Sequence, residues 1–306
     1  MFVYIVRRLL AGIPVLIGVS LITFILMNVV PGDPVTAAFE KRADAETIAR
    51  IRKEMGLDRP LVIQYVEFVA KATVGDLGNS FRTRLPVGET IAKALPMTAR
   101  LAVCAMAVAI CIGVPFGVAA ALKKNTWIDY TSTVTTLSFI SAPVFWVAII
   151  AQLVFGLQLD LLPISGYEGW IYMIMPATVL GSRYAASIAR YTRASMLEVL
   201  NQDYVRTARA KGLGERWVIW KHALKNALVP LLTIIGLEFG GLLTGSILTE
   251  SVFGLPGVGR LTIQAIQFRD FPMIEGTVLF TAVVFVVANL LVDISYSLVD
   301  PRIRMA

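Results

Sequence analysis

Charge is scarce in this 306-residue chain: Asp, Glu, Lys and Arg make up 16% of it, against about a quarter in soluble domains. With 57% hydrophobic residues and a mean hydropathy of +0.72, a soluble globular fold is excluded and an integral membrane protein is expected. There is one histidine, His222, and no His, Cys or carboxylate cluster stands around it at metal-ligand spacing, which argues against a metal centre. The two cysteines, Cys104 and Cys111, lie in one apolar run about 10 Å apart along a helix, too far for an intrachain disulfide. No Gly-x-x-x-x-Gly-Lys-Ser/Thr loop occurs, so the chain cannot cradle a nucleotide in that way, and no serine has a base within reach that would suggest a protease. The net charge of +7 does not point to nucleic acid, because basic residues of membrane proteins collect on cytoplasmic loops.

What is abundant is long apolar runs. Leu9–Val30 has the length of roughly 20 residues that crosses a bilayer and follows Arg7 and Arg8, as in an uncleaved signal anchor. The same window selects Leu101–Leu122, Thr131–Leu157, Ile171 to about Ile188, Leu228 to about Leu248, and about Ile274 to Val299. Six spans are expected in an all-α membrane protein. Arg7, Arg8, Lys123, Lys124, the Arg190–Lys225 stretch, Arg302 and Arg304 then face the cytoplasm, while the loop Gln158–Trp170 has no Lys or Arg and faces out. Both termini fall inside, and residues 1–30, 31–98 and 99–306 separate as a first span, an external helical segment and a core with a cytoplasmic loop at about 190–227.

The external segment predicts a helix over Ala43–Met55 with Asp44 at its N-cap, ending near Gly56, and a second over Leu61–Ala72. It reads either as a cap on the bundle or as a contact surface for a protein outside. Arg183, Glu238 and Asp293 interrupt the fourth, fifth and sixth spans. Such charges are expensive in hydrocarbon and must face the bundle, a partner or water. Arg183 and Glu238 either line a translocation path or pair to fix helix packing, whereas Asp293 reads as structural. Gly236, Gly240, Gly241 and Gly245 at one-turn spacing allow a neighbour's backbone to come close, and Pro115, Pro143 and Pro176 introduce bends or gates.

The most informative stretch is Asp203-Tyr-Val-Arg-Thr-Ala-Arg-Ala-Lys-Gly-Leu213. Asp203 is placed to cap a short helix over Tyr204–Lys211, and Gly212 can turn left-handed after it. Arg206 and Arg209 share a face, while Val205, Ala208 and Leu213 offer apolar contacts to a groove. A basic helix lying on anionic lipid is the alternative.

These residues resemble the coupling loop of ATP-binding-cassette (ABC) importer permeases, whose general form is Glu-Ala-Ala-x-x-x-Gly. Arg206 stands where that form has Glu, matching the Arg-Thr-Ala-Arg-Ala-Lys-Gly of the dipeptide/oligopeptide/nickel branch. Further resemblances run along the chain: Pro31-Gly-Asp-Pro34, Leu57-Asp-Arg-Pro60 with Gln64-Tyr65, Gly75-Asp-Leu-Gly78, Arg193-Ala-Ser-Met-Leu197, Gly254-Leu-Pro-Gly-Val-Gly259 and Asp300-Pro-Arg-Ile-Arg304. The resemblance implies the type I ABC importer permease fold in the inner membrane, with a second homologous permease, two ABC ATPase subunits that bind ATP and Mg, and an extracytoplasmic solute-binding protein as partners. The chain itself would bind no cofactor and be no enzyme. Asp203, Tyr204, Arg206, Thr207, Ala208, Arg209, Lys211 and Gly212 would transmit ATPase motion, and Gly254, Pro256, Gly257 and Gly259 would lie near an external gate. Expected cargo is di- or oligopeptides, with nickel chelates and glutathione as alternatives. An ion-coupled secondary transporter and a membrane scaffold are rival readings, and neither explains both the basic loop and the intramembrane charges.

Overall fold

The computed structural model describes residues 2–29, 45–54 and 56–299. Pro31–Pro34, Ala43, Asp44 and Asp300–Arg304 lie outside them, as does the side chain of Asp293. The chain divides into two compact units, Met1–Thr98 with Pro256–Val287, and Ala99–Leu255 with Ala288–Ala306. Both are helical, as the apolar runs demand: in hydrocarbon a backbone must satisfy its hydrogen bonds within the segment.

In the first unit, α1 (Phe2–Val29) is apolar on all sides beyond Arg8. Its hold on α3 (Leu61–Thr73) is local: the Ser20 and Tyr65 hydroxyls hydrogen-bond at 3.0 Å, and the Phe24 and Tyr65 rings lie 5.4 Å apart. Between them, α2 (Ala45–Glu54) stops at Gly56, which is left-handed. The core is built from α4 (Val87–Leu122), α12 (Val258–Gln267) and α13 (Phe271–Val299), where Val87, Ile91 and Ala94 cluster with Val258, Ala265, Met273 and Ile274. Val87, Ile91 and Ala94 follow the four-three spacing of one helix face. The loop before α4 is pinned by the buried Asp270, which accepts hydrogen bonds from the Ser80 hydroxyl and from the Phe81 and Arg82 amides, the latter two at 3.0 and 3.4 Å.

In the second unit the third predicted span is not one rod. It is α5 (Trp127–Ser141) and α6 (Val144–Ala151, widening to a π-helical stretch over Gln152–Gln158), with a 99° bend between them. Pro143 is the cause. Proline pushes the preceding residue out of helical space, and Ala142 is extended at φ −72°, ψ 131°. After α7 (Ile171–Leu200) come α8 (Asp203–Ala210) and the short α9 (Glu215–Trp217), which runs through a π-helical stretch, Val218–Ala223, into α10 (Leu224–Gly245). Helix α11 (Ile247–Phe253) ends this part of the chain.

Among the described residues, Ile5–Val29, Val87–Leu122 and Phe271–Val292 are helices long and apolar enough to cross a membrane. The pair Trp127–Ser141 with Val144–Gln158 and the pair Glu215–Leu228 with Pro230–Leu243 raise the number to five if each bent pair is one span. The predicted fourth span, Ile171–Ile188, lies in α7 and is not among these, because Arg183 and a run of small residues dilute its apolarity.

Helices α4 and α7 meet backbone to backbone. A Cβ on Gly113 would stand 2.7 Å from the Ala185 carbonyl oxygen, one on Gly117 2.5 Å from that of Ala189, and one on Gly181 2.6 Å from that of Ala105. Helix α10 makes room for side chains at the end of α13, with Gly236 against the Val292 side chain and Gly240 against the Ala288 methyl. We expect Gly117→Leu to lower the unfolding temperature of the protein in lipid nanodiscs, since overpacking of this kind costs about 1–3 kcal/mol. Gly18→Leu, where an added Cβ meets nothing within 4 Å, should leave that temperature unchanged.

Candidate functional site

The basic segment forms α8, an eight-residue helix whose two faces have different neighbours. Val205 and Ala208 are buried against Val218, with Val199 beside them. This corrects their expected role: they mount the helix on its own chain and do not present it to a partner's groove. Of the three, Leu213 alone stays exposed. The amphipathic spacing was legible, but spacing cannot say which apolar surface covers the stripe.

The N-cap is Gln202, and Asp203 is the first helical residue. Asp203 sits 3.8 Å from the Arg206 guanidinium across three residues, with both side chains in solvent, so this pair has little energetic weight. The C-terminus is a Schellman motif: the Gly212 amide donates to the Arg209 carbonyl at 2.9 Å and the Leu213 amide to that of Ala208 at 3.4 Å. Gly212 holds φ +77°, where a side chain would be strained. Arg209 folds back over this turn, donating from Nη2 and Nε to Glu215 at 2.6 and 3.1 Å. That contact holds the Glu215 carboxyl below the usual carboxylate range. The outer face is thus Tyr204, Arg206, Thr207 and Lys211, with Arg206 74% exposed at its side chain. Just beyond, Trp217 and Trp220 are exposed and Lys221 lies 4.8 Å from the centre of the Trp217 ring, a composition suited to the membrane–water boundary.

Arg183 and Glu238 are not joined by an ion pair among the described residues. Arg183 is exposed, and Glu238 accepts a hydrogen bond from Ser187 at 2.8 Å. Gly254 is the left-handed end of α11, with the Leu255 amide donating to the Glu250 carbonyl at 2.9 Å. Gly257 is the N-cap of α12 and Gly259 is buried in its first turn, while Pro256 is exposed. The glycine-rich segment is therefore a tight turn between two helices.

One buried ion pair of the second unit has no signature in the sequence. Asp129 at the start of α5 is 4% exposed and takes a two-pronged hydrogen bond from Arg193 of α7, Nε at 2.6 Å and Nη2 at 2.8 Å, plus the Asn125 amide at 3.0 Å. In the sequence Arg193 stands out only as part of the Arg193–Leu197 motif, and nothing local links it to a residue 64 positions away. The contact fixes α7 one helix upstream of α8.

Among the described residues no group of three or more His, Cys, Asp or Glu could hold a metal ion. Fold and site define a helical membrane protein that carries a basic helix mounted on its own chain. The chain belongs to the family of binding-protein-dependent transport system inner membrane components, the permease subunits of ABC importers of the dipeptide/oligopeptide/nickel type: the family pattern matches residues 113–305 and its N-terminal companion residues 1–102. It is 42% identical to the dipeptide transport system permease protein DppB of Alkalihalophilus pseudofirmus, over 99% of this chain and 100% of that one. It is 41% identical to the glutathione transport system permease protein GsiC of Escherichia coli K12, over 98% of each. Among solved structures, the inward-facing MetNI methionine ABC transporter matches with a TM-score of 0.58 at 19% identity, covering 69% of this chain and 96% of that chain, which is a likeness of fold.

Asp129→Asn should cost about 1–3 kcal/mol by leaving the guanidinium half paired. The check is thermal unfolding in nanodiscs, with Arg193→Gln and the double variant completing a cycle in which the double variant loses much less than the sum of the two single losses.

Proposed function

We propose that this chain is half of the translocation pathway of an inner-membrane importer that carries di- or oligopeptides, or a peptide such as glutathione, into the cytoplasm. It pairs with a second homologous permease, receives cargo from an extracytoplasmic solute-binding protein, and is driven by two ATPase subunits that bind ATP and Mg. The chain crosses the membrane six times with both termini inside, and α7 supplies the span whose Arg183 faces the pathway or the second permease. Glu238 contributes to the same pathway, and the turn Gly254–Gly259 lies beside the external gate.

The observation that carries this reading is the mounting of α8. A helix of eight residues has no independent stability, yet this one is anchored through Val205 and Ala208, closed by a Schellman turn and tied by Arg209 to Glu215, while a basic face is left to solvent. A rigidly mounted, outward-facing helix at the end of a 30-residue helix transmits a push. Relatives whose names specify dipeptide and glutathione transport, matched over nearly their full length, support the peptide class of cargo.

Gly212→Val places a β-branched residue at positive φ, at a cost of roughly 1–2 kcal/mol, and shifts the docked helix. In proteoliposomes containing the whole complex, it and Arg206→Glu should reduce peptide uptake and binding-protein-stimulated ATP hydrolysis while the chain still inserts. Normal uptake by both would remove α8 from the mechanism. For topology, accessibility tags at Gly166 should be reached from outside and at Gly214 from the cytoplasm; the reverse at Gly214 would sink the six-span arrangement.

A further inference from the structure

Within the second unit, a groove of about 340 Å³ runs between α4, α7 and the two arms of the elbow. Ile112 and Phe116 of α4 line it, with Val179, Ser182 and Ala186 of α7. So do Thr135 and Phe139 before the proline and Val147 and Phe155 after it, which sets the groove in the crook of the 99° bend. No charged side chain lines it, and three of its four hydroxyls are turned back onto their own helices. Thr136 donates to the Thr133 carbonyl at 2.9 Å, Thr178 to that of Ile174 at 2.7 Å and Ser182 to that of Val179 at 2.8 Å. The fourth belongs to Thr135, an exposed residue. A peptide buried here would leave amide groups without partners, whereas hydrocarbon needs none. Size narrows the occupant further. A helix about 10 Å across with a 5.4 Å pitch takes up roughly 400 Å³ per turn, so the groove is too small for even one turn of a partner's helix. An apolar cavity of about 150 Å³ already admits a benzene ring, and one roughly twice as large suits a length of alkyl chain.

We propose that this groove is a lipid site that holds one acyl chain of an anionic phospholipid, with the phosphate at Lys123 and Arg190. The walls of the groove lead to those cations. Ile112, Phe116 and Lys123 stand at four- and seven-residue steps along one face, Lys123 directly following the last residue of α4, and Ser182, Ala186 and Arg190 stand at four-residue steps along α7. Lys123, Lys124 and Arg190 are exposed, and the charge of Asp129 at the start of α5 is already matched by Arg193. Trp127 and Tyr130, also exposed, are the aromatic residues expected at headgroup depth. Measured along the helices at 1.5 Å per residue, Phe116 lies about 10 Å from Lys123 and Phe139 about 18 Å from Trp127. The hydrocarbon of one leaflet is about 15 Å deep, so a chain whose headgroup sits at Lys123 reaches the elbow. The charge bias assigns this end to the cytoplasmic leaflet, where anionic lipids create a negative surface potential that attracts such cations. The site is independent of the cargo and takes its ligand from the membrane itself.

The test uses the complete transporter in phosphatidylcholine nanodiscs doped with a phosphatidylglycerol or a phosphatidylcholine probe, each carrying a diazirine midway along one acyl chain, with adducts mapped by mass spectrometry onto this chain. Peptides covering residues 112–116 and 135–139 should be labelled more by the phosphatidylglycerol probe, by about fivefold for each cation engaged. The exposed apolar surface of α1 between Leu9 and Ile25 should be labelled equally by both. Lys123→Gln with Arg190→Gln, both at exposed positions, should equalise the two probes at the groove. Thr135→Trp, which fills the groove from an exposed position, should remove the groove adducts and leave those on α1, showing that the chain still inserts. Groove adducts without headgroup preference, a preference that survives the double variant, or adducts undiminished by Thr135→Trp would overturn the site. If p-benzoylphenylalanine at position 135 instead captures the second permease, or a photoreactive peptide labels the groove, the surface belongs to the subunit interface or to the cargo path and the lipid assignment falls. Peptide uptake is scored separately, so loss of the importer reading and loss of this site are told apart.

Discussion

Much of the second unit depends on α7 being held where its backbone touches that of α4. Side chains normally keep helix axes 8–10 Å apart; at Gly113, Gly117 and Gly181 the carbonyl oxygens of the partner helix occupy the space a methyl group would need. In a bilayer there is little hydrophobic gain from pairing two apolar helices, so this intimate contact and its dispersion energy carry the association. The Asp129–Arg193 pair then fixes the azimuth of α7 near its far end, where packing alone would tolerate rotation. With both in place, the helix leaves little freedom to the segment that follows it.

That segment divides its residues by neighbour. The apolar pair Val205 and Ala208 belongs to the chain's own scaffold, and the cations belong to the outer face. Arg209 and Glu215 are too exposed to add much stability as an ion pair. Their bond spans the left-handed turn at Gly212, so its effect is geometric, holding the chain's exit from α8 in one direction.

Local signals were read well where the cause was local. Gly212 was expected to close the basic helix and does so, because a left-handed C′ residue has a sequence signature. Pro143 carried an equally local message, and the 99° bend is the larger consequence of a bend already anticipated there. Asp203, by contrast, has the composition of an N-cap but sits one residue inside, the error of a single position that helix ends commonly produce. Long-range pairings left no trace: Asp129 with Arg193, and Asp270 with Ser80 across 190 residues, are carboxylates that look like ordinary loop charges until the fold buries them. The inward turn of Val205 and Ala208 was hidden for a related reason, since an amphipathic pattern names a face and leaves its occupant open.

The elbow at Ala142–Pro143 bears on how the protein meets lipid. Helix α5 has 15 residues, about 22 Å at 1.5 Å per residue, and the arm beyond the proline is of similar length. Neither reaches across a hydrocarbon layer about 30 Å thick. A straight span answers a thicker or thinner bilayer by tilting as a whole. Two short arms joined at a fixed angle have no such single adjustment. A change of bilayer thickness would therefore be met at the junction of Ala142 and Pro143, where a straight span would meet it along its whole length.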